Sequence, residues 1–148
     1  MQVLTKRPPL IRDTRGFTLV ELLVIVLMVG ILAMIALPTF LGQRAKAQDV
    51  EAKAMVHAAM VALRTHESEH DTFIATRADL AAIEPTIGDA SPGFSVSGTD
   101  TTFTITEHSV SGTDFTVTRD AAGKLTRTCT APARGACRSA ADADGNLW

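Results

Sequence analysis

Two stretches of this 148-residue sequence hold side chains whose types and spacing could do chemistry. His66-Glu67-Ser68-Glu69-His70 fits H-E-x-x-H, a spacing that sets two imidazoles on one helical face around zinc with the glutamate as general base. Glu21 is a lone carboxylate in the 25-residue apolar run from Phe17 to Leu41, broken otherwise only by Thr18, Gly30, Pro38 and Thr39. An acid at the centre of a membrane helix costs about 2.5–3.5 kcal/mol on insertion scales, so Glu21 needs a partner.

The zinc chemistry lacks its supporting cast. Only His57 and His108 remain as further imidazoles. A third ligand would have to be a carboxylate, and the short remainder offers no second catalytic helix to enclose a metal. The motif reads as the solvated end of a helix, with adventitious metal binding as the lesser alternative. No P-loop, dinucleotide fingerprint or G-x-S-x-G occurs either. The expectation is a non-enzyme with no catalytic residue, no bound metal and no cofactor.

The apolar run is long enough to cross a bilayer, which takes roughly 20 residues. Charge divides there. Lys6, Arg7, Arg12 and Arg15 against Asp13 give residues 1–16 a charge of +3, which leaves −5 for the rest of a chain whose formal net charge is −2. The basic leader favours a cytoplasmic N-terminus, although Arg44, Lys46 and Lys53 just beyond the run narrow the margin. No basic stripe is present to engage nucleic acid, and none is predicted as a partner. The run is too long for an ordinary secretory signal, whose apolar stretch is about 7–15 residues. Ala45-Lys46-Ala47 still offers an A-x-A cleavage site, and a plain single-pass anchor is a further alternative.

Arg15-Gly16-Phe17-Thr18-Leu19-Val20-Glu21-Leu22-Leu23 resembles the prepilin peptidase site of type IV pilins and type II secretion pseudopilins. The resemblance implies cleavage after Gly16, N-methylation of Phe17, and subunit assembly through Phe17 and Glu21. It is strong over about Arg15 to Leu41. Gly30 and Pro38 also sit where many pilins carry a glycine and a proline, which implies local helix melting on assembly; a static kink is the alternative. No Lys, Arg or His lies between Phe17 and Leu41. Cleavage, however, turns the Phe17 amide nitrogen into an ammonium one helical turn from Glu21, so that proteolysis supplies the counter-charge. With helices stacked at an axial offset, Glu21 of one copy meets Phe17 of the next in a low-dielectric interior. The simpler account is that Glu21 favours the positive end of its own helix dipole, worth about 0.3–1 kcal/mol.

The elements that must position these groups follow from periodicity. A single helix is predicted from Phe17 to about His70, membrane-like in its first half and amphipathic in its second. In that second half Val50, Ala54, Ala58 and Val61 form the apolar face, flanked by Met55, Ala59 and Ala62. Gln48, Asp49, Lys53, His57 and Arg64 fall on the other side, with Asp49 and Lys53 a favourable i, i+4 pair. Thr76-Arg77-Ala78-Asp79 predicts a capped short helix ending at Glu84-Pro85. Alternation at Phe94/Val96, Phe103/Ile105 and Phe115/Val117, with Leu125 after an Asp120-Ala121-Ala122-Gly123 turn, predicts four antiparallel strands.

The only large apolar surface able to cover those strands is the second half of the long helix. The predicted fold is α+β and pilin-like, a long N-terminal helix packed on a four-stranded antiparallel sheet. Cys129 and Cys137 are expected to pair in an oxidising compartment, closing a short C-terminal loop, with two free cytosolic thiols as the alternative. The Pro132-Ala133-Arg134-Gly135 tip and the tail from Ala140 to Trp148 are expected to be exposed. Trp148 is assigned either to packing on the domain or to contact between subunits. Residues 1–16 are read as a leader, 17–41 as the membrane and later filament-core segment, and 42–148 as the globular domain.

The functional expectation is a structural subunit of a type IV pilus, with a type II secretion pseudopilin or a minor pilin as the alternative. The implied partners are other copies through their N-terminal helices, the prepilin peptidase, the inner-membrane pilus assembly machinery and the membrane itself. The chain is placed in the membrane before assembly and on the cell surface after it. A calcium-binding acidic loop of the kind common in major pseudopilins is not convincing at Asp142 to Asn146. From other classes, a membrane-anchored metalloprotease would depend on His66 and His70, and an anchored binding module would keep Gly16 uncleaved.

Overall fold

A computed structural model describes residues 16–131 and 135–148. The basic leader before Gly16 and the Pro132-Ala133-Arg134 tip lie outside the described residues. The chain forms two units, residues 1–38 and 39–148. Helix α1, Leu19–His70, contributes to both and carries Pro38 within it.

In the first unit, residues 16–38 are exposed apart from a partly covered Ala33. Among the described residues, every apolar core side chain lies later, from Ala52 onward.

The second unit builds its core on a meander. Strands β1 (Ser95–Gly98), β2 (Phe103–His108), β3 (Asp114–Arg119) and β4 (Leu125–Cys129) pair in the order β1-β2-β3-β4, all antiparallel. The alternation read from sequence is realised: Phe103, Ile105, Phe115 and Val117 are buried on one face and join Ala52, Val56, Ala59, Met60 and Leu63 of α1 in one hydrophobic core. The 120–123 turn closes with the Gly123 amide on the Asp120 carbonyl at 3.0 Å.

Helix α2, Arg77–Ile83, begins with the expected capping box, the Thr76 side chain accepting from the Asp79 amide and the Asp79 carboxylate accepting from the Thr76 amide. The box and two donors from the Thr76 amide and hydroxyl hold the Asp79 carboxyl below its usual 3.8. A 3-10 turn, Pro85–Asp89, follows directly. Arg77 secures it, its guanidinium donating to the carbonyls of Ile87, Gly88, Ala90 and Ser91.

The inward face of α1 differs from the predicted one. Val50 and Val61 are 60% and 51% exposed, whereas Asp49 is fully buried and Lys53 is partly so. Asp49 instead takes an inward position with both carboxylate oxygens engaged. Its Oδ1 accepts from the Ser109 hydroxyl at 2.7 Å and from Ser111, and its Oδ2 accepts from the Ala136 amide at 2.7 Å. Periodicity ranks residues by polarity alone, so it cannot see a carboxylate that arrives with three donors waiting.

Cys129 and Cys137 form a disulfide, Cα to Cα 6.1 Å. Its loop is also fastened from α1. Lys53 donates to the Ala136 carbonyl at 2.7 Å while Asp49 accepts the amide of the same residue, so an i, i+4 pair grips both backbone groups of Ala136. Burial holds the Lys53 ammonium below its usual 10.5, opposed by the charge of Asp49 and aided by that of Arg138.

The end of the chain is not the free tail expected from sequence. Residues 140–144 are exposed, but Asn146 is buried and hydrogen-bonds the β4 backbone through Arg127. Trp148 packs edge-on against Phe115 at 5.7 Å and donates to the Thr128 carbonyl at 2.9 Å, which selects the packing role for it.

Candidate functional site at the start of the long helix

Gly16, Phe17 and Thr18 precede α1 outside any regular element, and helical geometry begins at Leu19. Thr18 occupies the N-cap and Glu21 the third helical position. The Glu21 amide donates to the Thr18 hydroxyl at 3.2 Å, while the Glu21 carboxylate accepts from the Thr18 amide and hydroxyl at 3.5 and 3.4 Å. This reciprocal pair is a capping box. Thr18-Leu19-Val20-Glu21 carries its T-x-x-E signature, a signal the sequence reasoning passed over because Glu21 had already been assigned to a charge role.

In this arrangement Glu21 is occupied locally, by the donors that a helix start leaves unsatisfied. It sits one turn from the Phe17 nitrogen. Gly16, Phe17 and Glu21 thus lie within about one turn of each other at the helix start. Gly30 and Pro38 lie further along the exposed part of α1, and Cys129 and Cys137 belong to the second unit.

Around this end the surface is apolar without relief. Phe17 is 69% and Leu19 79% exposed, and large hydrophobic side chains continue in exposed positions to Leu41. Such a surface demands lipid or other helices. The described residues contain one helix long and apolar enough to cross a membrane.

The H-E-x-x-H segment closes α1. His66 is buried, with Nδ1 3.3 Å from the Thr72 carbonyl, and its ring lies 4.3 Å from that of His70. His66 thus ties the last turn to the chain that follows, rather than standing solvated as the sequence suggested. Among the described residues, no three His, Cys, Asp or Glu side chains are grouped to hold a metal ion.

Residues 11–37 match a pattern described as the prokaryotic N-terminal methylation motif. A type IV major pilin protein of Myxococcus xanthus, PilA, is 42% identical over 59 residues, which is 40% of this chain and 27% of the relative. Over its N-terminal part the chain is similar to a type IV major pilin and carries the methylation motif. A second relative, the type IV wide pilus major component PilA4 of Thermus thermophilus, is 28% identical over 72 residues, 49% of this chain and 55% of the relative. The chain therefore spans 27% and 55% of the lengths of the relatives it matches.

Proposed function

We propose that this chain is a structural subunit of a type IV pilus, made as a membrane precursor and polymerised through the N-terminal part of α1. The observation that carries the reading is the exposed apolar surface from Phe17 to Leu41, interrupted by one acid placed a helical turn from the Gly16–Phe17 bond. A prepilin peptidase cleaves that bond and Phe17 is methylated, leaving a charged amine. Glu21, until then engaged by its own helix cap, pairs with this amine on a neighbouring copy. The membrane holds the precursor, the inner-membrane assembly machinery extracts it, and the finished polymer lies outside the cell. Gly30 and Pro38 weaken the hydrogen-bond ladder along the stretch that must repack, since proline at 38 removes the bond to the Met34 carbonyl. The relatives' description as major pilus components supports a principal rather than an accessory role. The chain performs no catalysis in this scheme.

Mass spectrometry of sheared extracellular filaments tests the reading. The expected result is a chain beginning at N-methylated Phe17. An intact species beginning at Met1 and confined to membranes would instead identify a plain anchor.

A further inference from the structure

The second unit contains a cleft of about 390 Å³ whose lining includes Glu51 and Met55 of α1, Asp89 and Pro92 before β1, and Glu107 and Val110 at the end of β2. Glu107 is only 5% exposed. Its Oε1 accepts the Ser91 amide at 2.9 Å, and its Oε2 has no hydrogen-bond partner among the described residues. A buried carboxylate oxygen left without a donor is costly, so the fold maintains an acceptor for something absent from the isolated chain. Glu51 and Asp89 add negative charge nearer the surface, while Met55, Pro92 and Val110 supply apolar walls. Apolar walls leading to an acid suit an aliphatic stem with a cationic head.

We propose that this cleft receives Lys46 or Arg64 from a second copy of the chain. The proposal rests on the pilus-subunit reading. Helical periodicity of about 3.6 residues per turn puts exposed Lys46, His57 and Arg64 in one row along α1, on the edge opposite to Glu51 and Met55. Arg44 shares the cleft side, one turn before Gln48, the first α1 residue of the lining, and is not itself part of that lining. Each copy thus carries an acidic receptor on one edge of α1 and a cationic row on the other. A contact between two different edges is heterologous and repeats without closing, as an open helical polymer requires. The charge balance points the same way. Residues after Gly16 sum to −5, from the formal −2 less the leader's +3, so copies repel unless their few exposed cations meet acids.

The test compares sheared filaments of wild type, Glu51→Gln/Glu107→Gln and Lys46→Gln/Arg64→Gln. It reads the subunit concentration left in solution after sedimentation, alongside the melting temperature of detergent-solubilised full-length monomer. Both double variants are expected to raise that concentration about tenfold or more, with unchanged monomer melting. Filaments as stable as wild type in the acid-side variant would overturn the proposal. Loosening in the acid-side variant alone would overturn it too, by assigning the cleft to a free cation. Should removal of Glu107 lower monomer melting, Glu51→Gln alone decides, since Glu51 is exposed: loosened filaments support the contact and unaffected filaments refute it. If wild-type chains form no filaments, the subunit reading itself fails and this contact with it.

Discussion

Glu21 caps its helix and is proposed to meet an ammonium, and the two roles can be separated by one substitution. Glutamine at N3 preserves a capping box but carries no charge. If assembly depends on the charge, Glu21→Gln and Glu21→Ala both leave membrane-inserted chains without filaments. If only the cap matters, Glu21→Gln filaments appear in electron micrographs of sheared cells at wild-type abundance. Asp49 makes a different kind of demand, because it is enclosed by its donors. Asp49→Ala strands the Ser109 and Ser111 hydroxyls and the Ala136 amide, and should cost about 3 kcal/mol in thermal unfolding. Asp49→Asn keeps an acceptor for the serines and should cost less. Asp79 supplies a pH dependence. Its carboxyl is held below 3.8 in the folded chain, mainly by the Thr76 hydroxyl and amide, so it binds fewer protons than in the unfolded chain. The stability it contributes is present above 3.8 and disappears as pH falls through the lowered value. Hydrogen-exchange protection at the start of α2, taken relative to the intrinsic rate at each pH, should therefore fall in acid before that of the sheet, and Asp79→Asn should abolish that difference.

Among the elements, α2 and the four strands were readable from sequence because their signals are local: a T-x-x-D cap, a proline stop, and alternation of aromatic with polar residues. The inward face of α1 was not. Its small alanines differ little from one side to the other, so the decision passed to Asp49, Lys53 and their partners some sixty to ninety positions away. The docking of the last residues on β4 was hidden for the same reason, since Asn146 and Trp148 act through distant backbone groups. At the N-terminus, Gly16, Phe17 and Glu21 were legible as a set, while the Thr18 cap was overlooked. Two glycines mark where elements approach each other too closely for a side chain. A Cβ on Gly98 would fall 2.2 Å from the Phe73 carbonyl oxygen, where the segment after α1 meets the end of β1. Gly98→Ala should therefore destabilise by about 1–3 kcal/mol in a denaturant titration, through overpacking of backbone. Gly135 has φ +59° and directly faces Asp49 Oδ2, so the disulfide loop can reach α1 only with glycine there.

For the whole molecule, the separation of burial is the governing fact. Among the described residues, every buried apolar one lies at or after Ala52, and none comes from residues 16–38. A fragment of residues 39–148 should accordingly keep the melting temperature of the full chain in circular dichroism, and should run as a monomer in gel filtration. Loss of cooperative melting in that fragment would mean that the first unit contributes to the core. The sheet's last strand adds a constraint on what such a fragment can do. The Arg127 carbonyl accepts the Leu147 amide at 2.7 Å and the Arg127 amide donates to Asn146 Oδ1 at 2.9 Å, so the outer rim of β4 is already occupied by the chain's own terminus. An occupied rim offers no template to a foreign strand. At high local density this rim cannot pair with the same rim of another copy, which closes one of the sheet's two edges to strand-on-strand stacking.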